Sequence, residues 1–182
     1  MQKNKPVILF LVKFFISYLI MVGLYSFYLS KTQEKETLFS CSPITETVAN
    51  QTATMIGFLG FKAEVLQHQN ELSFKVLVNN KYVSRVIEGC NSVSIIILFI
   101  AFIIAFSGSF KSTIFFGFIG SLLIYSTNIF RIAVLSIGIL LYPKQQEILH
   151  SLVFPAIIYG MVFLLWVIWV NKYSDFKKQQ NE

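Results

Sequence analysis

Three side chains from separate parts of the sequence could together act on a peptide bond: Cys90, Arg131 and His150. The Cys90 thiol stands at the predicted start of an apolar helix, where unpaired amides and the helix dipole stabilise a thiolate. The His150 imidazole can accept a thiol proton and return it to a leaving amine near neutral pH. Arg131 lies in an apolar run, and its planar donors suit a thiolate or a developing oxyanion. We therefore predict that these three residues are catalytic.

Two further polar residues stand close to the predicted nucleophile and cation. Glu88 precedes Cys90 by two residues, and Asn128 precedes Arg131 by three, which places it on the same helical face. We expect both to support the catalytic residues, Asn128 either by orienting Arg131 or by donating to the substrate. The two distant histidines and few acids supply no metal set, and there is no glycine-rich phosphate loop, so we expect no cofactor and no metal.

The composition points to a membrane as the environment of these residues. Of the 182 residues, 55% are hydrophobic and 13% are charged, against about 25% charged residues in soluble domains. The net charge of +6 comes from basic residues that are scattered or flank apolar runs. This pattern argues against a nucleic-acid partner and for contact with membrane lipid.

The predicted fold is mainly α, a polytopic transmembrane helical bundle of about four spans with a small extracytoplasmic α+β cap. The predicted spans are 7–29, 92–110, 112–142 and 148–170. The third run is too long for one straight crossing, so we expect 112–131 to span and 132–142 to form a tilted extension or a re-entrant piece.

The chain divides into four predicted regions. Residues 1–29 form an N-terminal signal-anchor helix that is retained, because its apolar run is longer than that of a cleaved signal. Residues 30–88 form an extracytoplasmic loop, residues 89–171 the transmembrane core, and residues 172–182 a basic cytoplasmic tail. Trp166, Trp169 and Tyr173 are predicted to form an aromatic belt at the end of the last span.

The polar region 30–88 contains two predicted elements. Apolar residues within 43–61 favour a helix that lies on the membrane surface. Alternation within 65–86, around Asn79-Asn80, predicts a β-hairpin with a tight turn. Four apolar residues share one face of that hairpin: Leu72, Phe74, Val76 and Val78.

Positively charged residues set the predicted orientation. Placing the N-terminus in the cytoplasm puts most flanking lysines inside, namely Lys3, Lys5, Lys111, Lys172, Lys177 and Lys178. With four spans, the three predicted catalytic residues then meet at the outer rim of the bilayer. Singly, each has an ordinary explanation as a buried thiol, a snorkelling cation or a helix-start residue. Three such residues at one predicted membrane depth favour a functional site.

The motifs occur in a recognisable order: Glu-Gly-Cys-Asn-Ser at 88–92, Asn-Ile-Phe-Arg at 128–131, and then His150. This arrangement resembles the exosortase and archaeosortase family, and the chain's size resembles its short F-type members. The resemblance covers roughly residues 85–170.

The resemblance implies a cysteine peptidase or transpeptidase of the cytoplasmic (inner) membrane, multi-pass, with its active site facing outward. Its substrates would be exported proteins whose C-terminal sorting signal consists of a short motif, a transmembrane helix and a basic tail. Cys90 would attack the peptide bond, and Arg131 and His150 would assist. The chain has fewer spans than larger family members, so an accessory membrane subunit is a further expected partner.

Two other functions remain open from the residues alone. The polar residues could satisfy hydrogen bonds between helices in a non-catalytic membrane assembly or scaffold subunit. Alternatively, Cys41 and Cys90 could form a thiol redox pair, and a disulfide between them would silence Cys90 as a nucleophile.

Overall fold

The computed structural model describes residues 5–33, 40–106 and 108–173. The side chains of residues 5, 6, 146, 149, 150 and 154 also lie outside the described part, as do Lys3, Lys177, Lys178 and most of the predicted tail. The main helices are α1 (Lys5–Thr32), α2 (Pro43–Phe58), α3 (Val93–Ala105), α4 (Phe110–Leu141) and, after the three-residue α5 (Gln146–Ile148), α6 (Phe154–Lys172). The strands are β1 (Ala63–Gln67), β2 (Ser73–Val78) and β3 (Lys81–Ile87).

Three helical segments are long and apolar enough to cross a membrane: Val7–Thr32, Phe110–Leu141 and Ser151–Lys172. They confirm the prediction of transmembrane helices. The predicted second span contains α3, an apolar helix of only 13 residues. Its length is roughly 20 Å, less than a hydrocarbon core of about 30 Å. The count of four spans therefore stays a prediction.

Helix α4 continues without interruption past Arg131 to Leu141. Of the two predicted alternatives for 132–142, the structure therefore shows the helical extension and not the re-entrant piece. Ile132 and Ala133 are buried in a hydrophobic cluster with the sheet residues Val76 and Val86. This packing explains why the helix persists beyond the polar residue.

Contacts divide the chain into two compact units, and the first is helical. It contains α1 up to Phe27, residues 93–124 and the chain from Tyr159 onward. Its core is formed by Phe99, Ile103, Ile124, Val162, Leu165 and Trp169. The predicted belt residue Trp169 is fully buried, and Trp166 stacks on Phe102 with ring centroids 4.2 Å apart. Both indoles therefore pack between helices of this unit.

The second unit combines residues 28–92 with residues 125–158. Its antiparallel sheet has the order β1-β2-β3. The predicted hairpin is present between β2 and β3, because Asn79 (φ 51°) and Asn80 (φ 63°) both adopt the left-handed conformation that a tight two-residue turn requires. The predicted inward residues Phe74, Val76 and Val78 are buried. Strand β1 is a third strand, which the alternating pattern within 65–86 did not distinguish from the predicted hairpin.

Helix α2 packs its apolar face on this sheet. Val48, Ala49 and Ile56 are fully buried in the same cluster as the inward residues of β2. The sequence pattern predicted that this face lies on the membrane surface, but in the structure it packs against the sheet. Phe58, at the end of α2, remains 83% exposed.

Candidate functional site

Cys90 lies in a short 3-10 turn, Glu88–Cys90, that follows β3 directly. Helix α3 begins only at Val93, and Ser92 between them has a φ of 65°. The sequence placed the thiol at a helix N-terminus, but this left-handed residue separates it from α3. Cys90 therefore precedes the first turn of α3 and is not part of it, whereas the prediction placed it at the helix start. Cys90 is half-buried, is not in a disulfide, and packs against the hydrophobic cluster of the second unit.

Asn128 connects helix α4 to the Cys90 turn. Its side chain is 1% exposed, and its Nδ2 atom donates a 2.7 Å hydrogen bond to the backbone carbonyl oxygen of Cys90. The sequence suggested that Asn128 orients Arg131 or meets a substrate. In the structure this amide instead holds the backbone of the predicted nucleophile.

Arg131 follows Asn128 by one helical turn. Side chains at this spacing stand about 5–6 Å apart at Cβ on one face of a helix, so Arg131 emerges beside the residue that contacts Cys90. Its Nε atom is buried and has no hydrogen-bond partner among the described residues. A buried donor without a partner is costly, and an anion bound at this position would remove that cost.

Glu88 is the centre of a polar network at the N-terminus of α2. One carboxylate oxygen accepts a 2.6 Å hydrogen bond from the Ser42 amide, and the other accepts hydrogen bonds from the hydroxyls of Ser42 (2.8 Å) and Thr45. Asn91 donates through Nδ2 to the Thr45 hydroxyl at 3.0 Å and to Glu88 at 3.4 Å. The carboxylate thereby places a negative charge at the start of α2, where the helix dipole favours it.

These hydrogen bonds decide the charge state of Glu88. Burial alone would raise its pKa, but the hydrogen bonds from Ser42, Thr45 and Gln33 outweigh burial and lower the pKa below its usual value. A carboxylate surrounded by donors can only accept, so the ionised form matches its surroundings. The supporting residue predicted beside Cys90 is therefore a carboxylate fixed in place.

Ser42, Thr45 and Asn91 were not among the predicted site residues. All three side chains are fully buried. Ser42 before Pro43 is a recognisable helix-start signal, and it correctly marks the beginning of α2. Nothing in the local sequence indicates that its hydroxyl bonds to a carboxylate 46 residues away.

Cys41 differs sharply from Cys90 in its environment. It is 4% exposed and belongs to the core of the second unit. Burial, together with the negative charge of Glu88, raises its pKa to about 11, although a hydrogen bond with Gln67 opposes the shift. Cys41 is therefore a protonated thiol at neutral pH, and it is not in a disulfide.

The side chain of His150 lies outside the described residues, so its predicted pairing with the Cys90 thiol stays a prediction. Its backbone is in a π-helical turn, Leu149–Val153, that leads into α6. Residues 90, 131 and 150 all belong to the second unit. The chain therefore brings the backbone of all three predicted catalytic residues into one compact body.

The second unit also contains a cavity of about 350 Å³ between the end of α2 and the sheet. Its walls include Gly57, Phe61, Lys62, Glu64 and Leu77. None of the predicted site residues lines it. Within the described part of the chain, no group of three or more His, Cys, Asp or Glu residues is arranged to hold a metal ion.

Comparison of the chain with protein-family models, with curated proteins and with solved structures finds no match.

Proposed function

We propose that the protein is a membrane cysteine peptidase or transpeptidase that processes C-terminal sorting signals of exported proteins at the outer face of the cytoplasmic membrane. The observation that supports it most is the hydrogen bond from Asn128 to the Cys90 carbonyl. This bond ties the thiol-bearing turn to the part of α4 that carries Arg131. A potential nucleophile and a cation whose buried Nε atom has no hydrogen-bond partner in the described part of the chain are thereby associated in one unit.

In the proposed reaction, the Cys90 thiolate attacks the carbonyl carbon of the peptide bond between the sorting motif and the substrate's transmembrane helix. Arg131 stabilises the oxyanion that forms. His150, having taken the thiol proton, gives it to the departing amine as the C–N bond breaks. The resulting thioester is then cleaved by water or by an amine or glycan acceptor, which restores the thiol.

Glu88 and Asn128 hold the nucleophile in this scheme. Asn128 fixes the Cys90 carbonyl, and Glu88 attaches the same turn to the start of α2. Such fixed support matters because a small displacement of the reacting groups slows the reaction strongly. Neither residue needs to touch the substrate.

The proposed outward orientation follows from the distribution of lysines and suits the substrate. The junction between an exported domain and its anchoring helix lies at the outer interface, where a nucleophile at the head of an apolar segment can reach it. Helix α1 contacts Phe102 and Phe106 through Phe10, but none of its span is buried in the chain. The rest of its surface leaves room for an accessory membrane subunit.

The direct test replaces Cys90 by Ala or Ser in the full-length protein in its native membrane. Exported proteins are then compared with those of wild-type cells and of cells without the gene, by mass spectrometry of their C-termini. The proposal expects retained anchors in both variants at wild-type protein levels, and normal maturation in a Cys41→Ser control. Normal maturation in Cys90→Ala cells would refute it.

Arg131 provides a second test of the same proposal. Arg131→Gln removes the charge, and Arg131→Lys keeps a charge but loses the planar donors. The peptidase proposal expects slower processing in both variants and the larger loss in Arg131→Gln. Equal, wild-type rates in both would contradict the assigned role.

In the scaffold alternative, the polar residues of the turn and of α4 only satisfy hydrogen bonds within the protein, and the bond from Asn128 to the Cys90 carbonyl is compatible with that role because it needs no free thiol. A scaffold would tolerate Cys90→Ala, since the backbone carbonyl that Asn128 contacts remains. The peptidase proposal expects loss of processing in that variant.

The redox alternative requires Cys41 as well as Cys90. The burial of Cys41 and its raised pKa weigh against it, because thiol exchange requires an accessible thiolate. Loss of function in Cys41→Ser, with no other change, would support redox chemistry and contradict the peptidase proposal.

A further inference from the structure

A set of buried polar side chains surrounds the Cys90 turn on the side of α2. Ser42, Thr45 and Asn91 are each 0% exposed. Ser42 and Thr45, at the start of α2, bond to Glu88, and Thr45 also bonds to Asn91. Glu88 and Asn91 stand on either side of the Gly89-Cys90 dipeptide. The turn is therefore held from both of its ends.

Thr45 bonds to both ends of the turn, which are also linked directly by the longer 3.4 Å hydrogen bond from Asn91 to Glu88. Its hydroxyl oxygen accepts the 3.0 Å hydrogen bond from Asn91 Nδ2, and its hydroxyl proton goes to the Glu88 carboxylate. A carboxylate cannot donate, and an amide nitrogen cannot accept, so the direction of both bonds is fixed. Only a side chain that donates and accepts at one atom satisfies both neighbours.

We propose that Thr45 is a positioning residue for Cys90, acting through Glu88 and Asn91. The inference rests on the proposed function for its effect on catalysis. Together, Thr45 and Asn128 hold the turn from two elements: α2 through the side chains that flank Cys90, and α4 through the Cys90 carbonyl. The thiol itself remains half-buried and contacts neither residue by a hydrogen bond that the structure records.

Loss of the hydroxyl would loosen the turn without removing any reacting group. A valine at position 45 has a similar shape but offers neither donor nor acceptor, so Glu88 loses one donor and Asn91 Nδ2 loses its 3.0 Å acceptor, which leaves its longer 3.4 Å hydrogen bond to Glu88. Glu88 stays bonded to Ser42, so the turn remains attached to α2 on the Glu88 side and loosens on the Asn91 side. Reaction geometry should suffer more than substrate binding, because binding does not depend on the position of the thiol.

The test compares Thr45→Val, Thr45→Ser and a control, Thr52→Val. Thr52 is equally buried on the same helix, but among the described residues its hydroxyl bonds to the backbone of α2, at Val48. Substrate processing is measured in native membranes, and alkylation of Cys90 by iodoacetamide is followed by peptide mass spectrometry. If Thr45→Val does not accumulate, Thr45→Ala removes the hydroxyl from the same position without adding bulk.

We expect Thr45→Val to lower kcat by on the order of 10-fold to 100-fold, with KM little changed. Alkylation of Cys90 should be faster, because a looser turn exposes the half-buried thiol. Thr45→Ser, which keeps the hydroxyl, and Thr52→Val should both leave kcat and the rate of Cys90 alkylation near wild type. Equal behaviour of Thr45→Val and Thr52→Val in both measurements would overturn the inference.

The two measurements separate this inference from the proposed function. If Cys90→Ala processes substrates normally, the peptidase proposal fails, whereas the alkylation rates still report whether Thr45 positions the thiol. If Cys90→Ala is inactive but Thr45→Val is fully active and alkylated at the wild-type rate, the peptidase proposal stands and the role of Thr45 is refuted.

Discussion

The side-chain amide of Asn128 lies 2.7 Å from the backbone carbonyl oxygen of Cys90 and donates a hydrogen bond to it. The two residues are 38 positions apart in the sequence. Asn128 is 1% exposed, and leaving a buried polar group unpaired costs about 1–3 kcal/mol. The bond therefore has consequences for stability and for the position of the Cys90 turn.

The first prediction concerns this bond. Asn128→Leu keeps the size of the side chain but removes the donor, so the free energy of unfolding should fall by about 1–3 kcal/mol. Denaturation of the purified protein in detergent measures the loss. Asn171→Leu is the control, because the Asn171 amide is exposed and bonds to Val167 in its own helix. A similar loss in both variants would show that the contact with Cys90 has no special weight.

The second prediction concerns the two thiols. Cys41 is buried with a pKa raised to about 11, while Cys90 is half-buried. Iodoacetamide should therefore modify Cys90 first in the folded protein at neutral pH, since the thiolate is the reacting species. Peptide mass spectrometry distinguishes the sites. Cys90→Ser should abolish the rapid labelling, and Cys41→Ser should preserve it; rapid labelling at Cys41 would contradict the described core.

The elements that could be predicted are those determined by local pattern. Long apolar runs indicate the three membrane-length helices, and Asn79-Asn80 indicates the hairpin turn because asparagine tolerates a positive φ. The inward face of β2 followed from strict alternation. Each of these features depends on residues that are close together in the sequence.

The supporting network could not be predicted because it depends on distant residues. Thr45 is one of several hydroxyl residues on α2, and only the fold brings Glu88 to it, 43 positions later. The continuity of α4 past Arg131 similarly depends on the burial of Ile132 and Ala133 by sheet residues. The left-handed Ser92, which separates Cys90 from α3, has no local signal either, since serine rarely adopts that conformation.

The third prediction is a pH dependence of stability from Cys41. Its pKa rises on folding from 9.0 to about 11 because burial and the charge of Glu88 disfavour the thiolate. The folded state therefore binds the proton more tightly, and this contribution to stability is complete below pH 9 and is lost as the pH rises toward 11. The unfolding midpoint in detergent should fall over that window, and it should fall less in Cys41→Ala. If the unfolding midpoint falls equally with pH in the wild type and in Cys41→Ala, the raised pKa of Cys41 would be contradicted.

The fourth prediction concerns the packing of α3 against the first half of α4. A Cβ atom at Gly120 would overlap the ring of Phe99, which is 0% exposed and therefore cannot move aside easily. Gly120→Ala should destabilise the helical unit by about 1–3 kcal/mol, the usual cost of overpacking a core. Gly160→Ala is the control, because no atom lies within 4 Å of a Cβ there, and alanine favours a helix over glycine by about 0.8–1.0 kcal/mol.

A double substitution tests the cause of that loss. Replacing Phe99 by Leu removes the ring that a Cβ at position 120 would meet, so Gly120→Ala should cost less in a Phe99→Leu background than in the wild type. Contacting residues commonly show interaction energies of about 0.5–3 kcal/mol in such a cycle. An unchanged cost would mean that Gly120 is required for a reason other than the close approach of Phe99, and the described packing of α3 on α4 would then be wrong at this point.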